Sequence, residues 1–162
     1  MRHINYRVYA RRSAFYARLE KDFKMSLKMS IQERQSFLAE LHVGVISIPR
    51  ENRAPLTVPI WYDYEPNGKL WILTEPNSLK GKALQNCKHI SLCVQTETPP
   101  YQYVTVEGEF DVTEPAPDQL LKMAVRYLGE KSGQQYAAGS GSDNIMVSFI
   151  PINWLSVDYS KM

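Results

Sequence analysis

Two β-strands, a tight turn and a short helix are predicted within one segment, Leu56–Leu84, which reads LTVPIWYDYEPNGKLWILTEPNSLKGKAL. The runs Leu56–Tyr64 and Leu70–Thr74 are rich in aromatic and β-branched residues, which is typical of strands. The Asn-Gly pair between them is a strong hairpin signal. Ser78 has the residue type preferred at a helix N-cap. The segment therefore predicts an antiparallel hairpin followed by a short helix.

The flanking sequence extends this pattern to an α+β fold. Ser30 and Glu33 form a capping box, which predicts a helix over Ile31–Leu41 with Phe37, Leu38 and Leu41 on its apolar face. A second helix is predicted to begin near Pro117 and to end at Gly129, followed by a flexible connection over residues 131–143. The other predicted strands are His42–Ile48, His89–Thr96, Tyr103–Val112 and a last strand over residues 144–159 that is interrupted at Pro151. Short connections favour antiparallel pairing, and six such strands favour a closed or partly closed barrel.

The charge is distributed unevenly along the chain. The net charge is +2, but residues 1–28 hold eight basic and two acidic residues, so this segment carries +6 and the remainder −4. We treat residues 1–29 as a basic N-terminal extension and 30–162 as the main domain. Three interpretations of the extension stay open: an amphipathic helix with Phe15, Leu19 and Phe23 on one face, an addition upstream of a start at Met25 or Met29, and a transit peptide or nucleic-acid arm. The mildly acidic main domain argues against nucleic-acid binding.

Several classes of protein are disfavoured by what the sequence lacks. No apolar run reaches the roughly 18 residues that span a bilayer, and no signal peptide is visible, so we expect no membrane segment and a cytoplasmic location. Cys87 and Cys93 fit neither a disulfide framework nor a common zinc motif. His3, His42 and His89 have no recognisable nucleophile partner. Hydrolase and metal-dependent mechanisms are therefore poor hypotheses.

Lys80 and Lys82 stand at the wrong end of the predicted short helix. The positive end of the helix dipole disfavours cations in the first turn, unless an anion is bound there. The hydroxyls of Thr74 and Ser78 and the free N–H groups of the first turn, up to Gly81, would add donors for that anion. The local sequence therefore indicates a phosphate site, the alternative being a solvated basic turn.

Pro59 lies in the middle of an otherwise apolar strand. Proline cannot donate to a β-ladder, so a strand broken there would leave neighbouring N–H and C=O groups free for a flat polar ring with imide groups. The alternative is an edge strand or a bulge.

The order of these elements over residues 30–160 resembles the pyridoxamine 5′-phosphate oxidase-like family. Its members are FMN-binding split β-barrels with deazaflavin (F420)-using relatives. The resemblance rests on APLTVPIWYDYEPNGKLWILTEPNSLKGKAL, YVTVEGEFDV and the terminal PINWLSVD. It implies a six-stranded antiparallel split β-barrel with flanking helices. It also implies a homodimer with two cofactor sites at the dimer interface.

The resemblance also assigns site residues by position. The stretch matching Val58, Pro59, Ile60 and Trp61 lies along the isoalloxazine ring, and Leu73 and Thr74 lie near the ring and the ribityl chain. Ser78, Lys80 and Lys82 hold the phosphate, and Trp154 of the partner chain closes the site. Two departures are Ala83, where many members have Asn, and the ending NWLSVDYSKM, which lacks the Arg-Leu-x-Pro segment of true pyridoxamine 5′-phosphate oxidases.

The implied function is an FMN-dependent oxidoreductase that acts on an unidentified small molecule and has no visible catalytic acid or base. Three alternatives stay open. The first is an F420-dependent reductase. The second is a non-catalytic flavin- or haem-binding protein, with His42 or His89 as the axial ligand of a haem. The third is a module that binds a partner through its basic N-terminus.

Overall fold

The structure, a computed structural model, describes residues 27–141 and 143–162. The predicted amphipathic helix around Leu19 lies outside these residues. The described chain contains four α-helices, eight β-strands and a C-terminal 3-10 turn. The helices are α1 (Ile31–Ala39), α2 (Leu79–Leu84), α3 (Gln119–Leu128) and α4 (Glu130–Gly139). The strands are β1 (Gly44–Arg50), β2 (Arg53–Ile60), β3 (Tyr62–Tyr64), β4 (Leu70–Thr74), β5 (His89–Gln95), β6 (Gln102–Thr113), β7 (Ile145–Phe149) and β8 (Asn153–Asp158).

All eight strands belong to one antiparallel sheet that curls into a split barrel. The strand order is β2-β1-β5-β6-β7-β4-β3, and β8 pairs with β6 beside β7. β6 makes the curl possible, because one of its edges pairs with β5 while the other pairs with β8 over residues 102–107 and with β7 over residues 110–113. The predicted α+β split-barrel class is confirmed.

The predicted count of six strands is wrong. The strand predicted over Leu56–Tyr64 is interrupted at Trp61 and forms β2 and β3, which lie at opposite ends of the strand order. The last strand is likewise divided around Pro151 into β7 and β8. Each interruption lets one continuous run of sequence pair in two parts of the barrel.

The core lies inside the curl and follows the two-residue periodicity of the strands. Alternate residues of each central strand are buried, such as Ile46 and Ile48 in β1 and Leu92 and Val94 in β5. The helix α1 packs against this core through Phe37 and Leu38, as predicted. Leu41 lies beyond the end of α1 and is 55% exposed, so its placement on the apolar face was wrong.

The helix pair α3–α4 is the main feature that the sequence analysis missed. α3 ends before Gly129 as predicted, but most of the connection predicted to be flexible forms α4. A Cβ at Gly133 would lie 2.6 Å from both the Cα and the N of Val125, so the missing side chain lets α4 pack directly on the backbone of α3. This tertiary contact stabilises a segment whose local sequence favours a loop.

Residues 27–29, which we had assigned to the extension, pack with the barrel. Leu27 and Met29 are buried, and the Leu27 carbonyl accepts a 2.8 Å hydrogen bond from the Asp158 N–H. Lys28, between them, is exposed. The described part of the chain has no helix long and apolar enough to cross a bilayer.

Met29→Ala should lower the free energy of unfolding by about 2–4 kcal/mol, because it leaves a cavity in the core. The neighbouring exposed Lys28→Ala should change it by less than about 0.5 kcal/mol. Urea unfolding of the two variants measures the difference in the free energy of unfolding. Equal effects would show that this segment does not belong to the core.

Candidate functional site

A cleft of about 520 Å³ opens between the end of β2, the start of α2 and the α3–α4 pair. Seven of the ten predicted site residues line it: Pro59, Ile60, Trp61, Leu73, Thr74, Ser78 and Lys80. The other lining residues were not predicted: Val43, Glu75, Leu120, Met123, Tyr136 and Asn144. The volume is within the usual range of small-molecule sites.

Ser78 organises the polar end of the cleft as the N-cap of α2. Its Oγ accepts a 3.1 Å hydrogen bond from the Gly81 N–H, donates to the Glu75 carbonyl at 2.7 Å and lies 3.2 Å from the buried Thr74 Oγ1. The prediction that the Gly81 N–H is free for an anion is therefore wrong. The N–H groups of Leu79 and Lys80 have no hydrogen-bond partner among the described residues.

Gly81 is required by the turn before the helix. A Cβ at this position would lie 2.4 Å from the carbonyl oxygens of both Glu75 and Pro76. The backbone of that turn therefore folds back against α2, where only glycine fits. This packing places the hydroxyls of Thr74 and Ser78 side by side.

The structure separates the two lysines. Lys80 is partly buried and lines the cleft, whereas Lys82 is exposed and does not. Residues two apart on a helix do not share a face, because they are rotated by about 200° about the axis. The cleft is therefore lined by one of the two lysines, and Glu75 lines it as well.

β2 is an edge strand, and Pro59 lies in it without breaking it. Pro59 is paired with Val45, and because proline cannot donate, this pair must be of the non-hydrogen-bonded type. The ladder bonds are then carried by the flanking pairs, and the backbone of Pro59 faces the free edge. The chain leaves the ladder at Trp61, whose backbone N–H and C=O have no hydrogen-bond partner within the described part of the chain.

An aromatic cluster stands over this free edge. The ring of Trp61 stacks on that of Tyr127 at 4.9 Å and 6°, and the ring of Tyr136 meets Trp61 at 5.4 Å and 53°. The Tyr127 hydroxyl accepts a 3.0 Å hydrogen bond from the Tyr62 N–H and lies 2.7 Å and 2.9 Å from the carbonyls of His42 and Tyr62. Burial raises the pKa of Tyr127, so its hydroxyl stays protonated and can donate to these carbonyls.

The remaining predicted site residues lie away from the cleft. Val58 packs against the core. Trp154 is on the interior side of β8, with its ring 6.2 Å from that of Tyr64 and 4.7 Å from the Arg34 guanidinium. Neither His42 nor His89, the predicted haem ligands, lines the cleft. No group of potential metal ligands is present among the described residues.

The residues that were missed come from elements far along the chain. Leu120 and Met123 lie on α3, and Tyr136 on α4. Asn144 precedes β7, whose first residue, Ile145, pairs with Thr74 at the polar end. The Gly/Ser-rich sequence before Asn144 predicts a loop but contains no sign of a cleft.

No family model and no curated protein sequence matches the chain. Solved structures do match it. A conserved hypothetical protein from Mycobacterium tuberculosis has a TM-score of 0.68 at 20% identity, covering 84% of this chain and 89% of the other. An F420 reductase has a TM-score of 0.61 at 18% identity, covering 75% and 94%. A protein of Listeria innocua that carries the name pyridoxamine 5′-phosphate oxidase has a TM-score of 0.60 at 11% identity, covering 78% and 96%.

These similarities establish the fold. The chain has the split-barrel fold of pyridoxamine 5′-phosphate oxidase-like proteins, as the resemblance in sequence predicted. At such low identities the likeness does not extend to an activity.

Gly81→Ala should lower the free energy of unfolding by about 1–3 kcal/mol, because the new Cβ collides with backbone oxygens. At an exposed position of a helix, replacing glycine by alanine normally raises the free energy of unfolding, because alanine favours the helix by about 1 kcal/mol. Gly139→Ala is the matched control, because a Cβ there meets nothing within 4 Å. Thermal unfolding of both variants tests this, and a stabilised Gly81→Ala would refute the turn packing.

Proposed function

We propose that the cleft binds FMN and that the protein is a flavin-dependent oxidoreductase acting on a small molecule. One observation carries this proposal. A single cleft of about 520 Å³ has two different ends. One end has a lysine and two hydroxyl groups, and the other has the unpaired backbone edge of β2 and the aromatic wall. FMN has the same division, with a phosphate at one end and a flat ring with a polar edge at the other.

The polar end fits a single phosphate. Lys80 supplies a positive charge, and the hydroxyls of Thr74 and Ser78 stand 3.2 Å apart beside it. The unpaired N–H groups at the start of α2 add donors. Charge-assisted hydrogen bonds of this kind are the strong ones in a partly buried site.

The other end fits a flat ring with donors and acceptors along one edge. The free edge of β2 offers the Pro59 carbonyl and both backbone groups of Trp61. Apolar side chains of Ile60, Leu120 and Met123 line the same region and would exclude water from the ring faces. When bound, the flavin would supply the redox chemistry, and this chain would bind it, orient it and control access to it.

The charge in the cleft supports FMN over F420. F420 has a longer anionic tail and needs a wider basic groove, but the cleft contains one lysine and also Glu75. Lys82 is outside it. An F420-dependent reductase is the alternative, and its support is the similarity in fold to an F420 reductase. Titration of each cofactor into the purified protein compares the two affinities directly. Tighter binding of F420 than of FMN would favour the F420-dependent reductase.

A homodimer is part of the proposal. The outer face of the sheet carries a row of mostly apolar or small side chains across paired strands: Pro59, Val45, Cys93, Thr105 and Leu155. Pro59 also lines the cleft, so the row is continuous with it. A second copy seated on this face would therefore cover the open side of the cleft.

Lys80→Ala should weaken FMN binding about 10- to 100-fold, the usual cost of a lost charge-assisted contact. Lys82→Ala, two residues away and outside the cleft, is the matched control and should cost far less. Quenching of flavin fluorescence measures both affinities. Riboflavin, which lacks the phosphate, should bind wild type and Lys80→Ala equally. Equal losses of FMN affinity in the two variants would contradict the assignment of Lys80.

Leu155→Arg should raise the dimer dissociation constant at least about tenfold, because it places a charge in the apolar row. Leu155 is 58% exposed in the single chain, so its replacement should not disturb the core. Ile31→Arg, at a 64% exposed position of α1, is the control. Sedimentation equilibrium measures both. A monomeric wild type, or a dimer that Leu155→Arg leaves intact, would exclude this face as the interface.

A further inference from the structure

Tyr136 is a half-exposed aromatic residue fixed on the wall of the cleft. It lies on α4, and 47% of its surface is exposed. Its ring rests against that of Trp61, which is stacked on Tyr127. Since the Tyr127 hydroxyl is bonded to the backbone next to Trp61, the three rings are tied to the barrel.

The position of α4 keeps Tyr136 in this place. α4 packs on the backbone of α3 at Gly133, one helical turn before Tyr136. α3 is itself anchored by Tyr127 and by the Arg126 guanidinium, which donates to the carbonyls of Ala39 and Glu40 at 2.8 Å and 3.1 Å. The wall is therefore held from two sides.

The ring end of the cleft combines apolar surface with two unused donors. Neither the Tyr136 hydroxyl nor the Trp61 indole N–H has a hydrogen-bond partner among the described residues. The other side chains at this end come from Val43, Ile60, Leu120 and Met123 and carry no polar atom able to donate. An acceptor on a ligand can bond to either of these groups, and the indole N–H can only donate. The backbone acceptors at this end, the carbonyls of Pro59 and Trp61, are those assigned above to the flavin ring.

We propose that Tyr136 is a specificity-determining residue and that the small-molecule partner of the flavin is a flat conjugated compound with a carbonyl oxygen. Its ring system packs on Tyr136 and Trp61, and its carbonyl accepts from the Tyr136 hydroxyl. The assignment rests on the proposed function, because it takes the cofactor to occupy the same cleft. It adds the chemical class of the second ligand, which the cofactor alone does not define.

Two probes that differ in one group test this inference. 2-Acetylnaphthalene and 2-ethylnaphthalene have the same flat ring, and only the first carries a carbonyl. Each is titrated into wild-type protein loaded with FMN. Wild type should prefer the ketone by about three- to tenfold, the range of one neutral hydrogen bond.

Variants at Tyr136 separate the hydroxyl from the ring. Tyr136→Phe should abolish the preference for the ketone while 2-ethylnaphthalene binds as before, and Tyr136→Ala should weaken both probes. Tyr101→Phe is the control, because Tyr101 is 51% exposed and lies outside the cleft. The inference is overturned if Tyr136→Phe retains the preference or if wild type binds neither probe. Failure of the proposed function would be seen separately, as wild-type protein that does not bind FMN.

Discussion

One hydroxyl group links the parts of the molecule that form the cleft. Where the chain leaves β2 and turns into β3 at Trp61, the ladder ends and Tyr62 has an N–H and a C=O to satisfy. Buried backbone groups rarely stay unpaired, because the cost is comparable to a lost hydrogen bond. The Tyr127 hydroxyl of α3 hydrogen-bonds to both of these groups and also to the carbonyl of His42, which precedes β1. The same side chain thus joins β3 and the segment before β1 to a helix, and it supports Trp61 by stacking.

The cleft follows from this junction. Because β2 ends at Trp61, the backbone N–H and C=O of this residue stay outside the ladder and extend the free edge of β2. The break divides one apolar run between opposite ends of the sheet and leaves Trp61 between them. The turn at Glu75 and Pro76, packed tightly on Gly81, then brings the hydroxyls and Lys80 to the other end. Two local irregularities of the backbone therefore create the polar features, and regular secondary structure creates the apolar ones.

Much of the fold could be predicted because its signals are local. The capping box at Ser30, the Asn-Gly turn and the N-cap at Ser78 each depend on a few neighbouring residues. The cleft was predicted where Leu56–Leu84 contributes to it and missed where α3, α4 and Asn144 do. Those contributions depend on tertiary contact. α4 is stabilised where Gly133 lets it pack against the backbone of α3. The sequence KSGQQYAAG has no periodicity that would predict this helix. Lys82 lies outside the cleft for a simpler reason, since residues two apart on a helix point to different sides of it.

The prolines of β2 have a consequence for how this protein behaves at high concentration. A free strand edge is a template on which another chain can form intermolecular β-structure. Pro59 presents no N–H along that edge, and Pro55 occupies the same alternate set of positions. An incoming strand would find an incomplete row of donors and could not build a continuous ladder. The edge thus leaves backbone carbonyls unpaired while resisting fibrous aggregation.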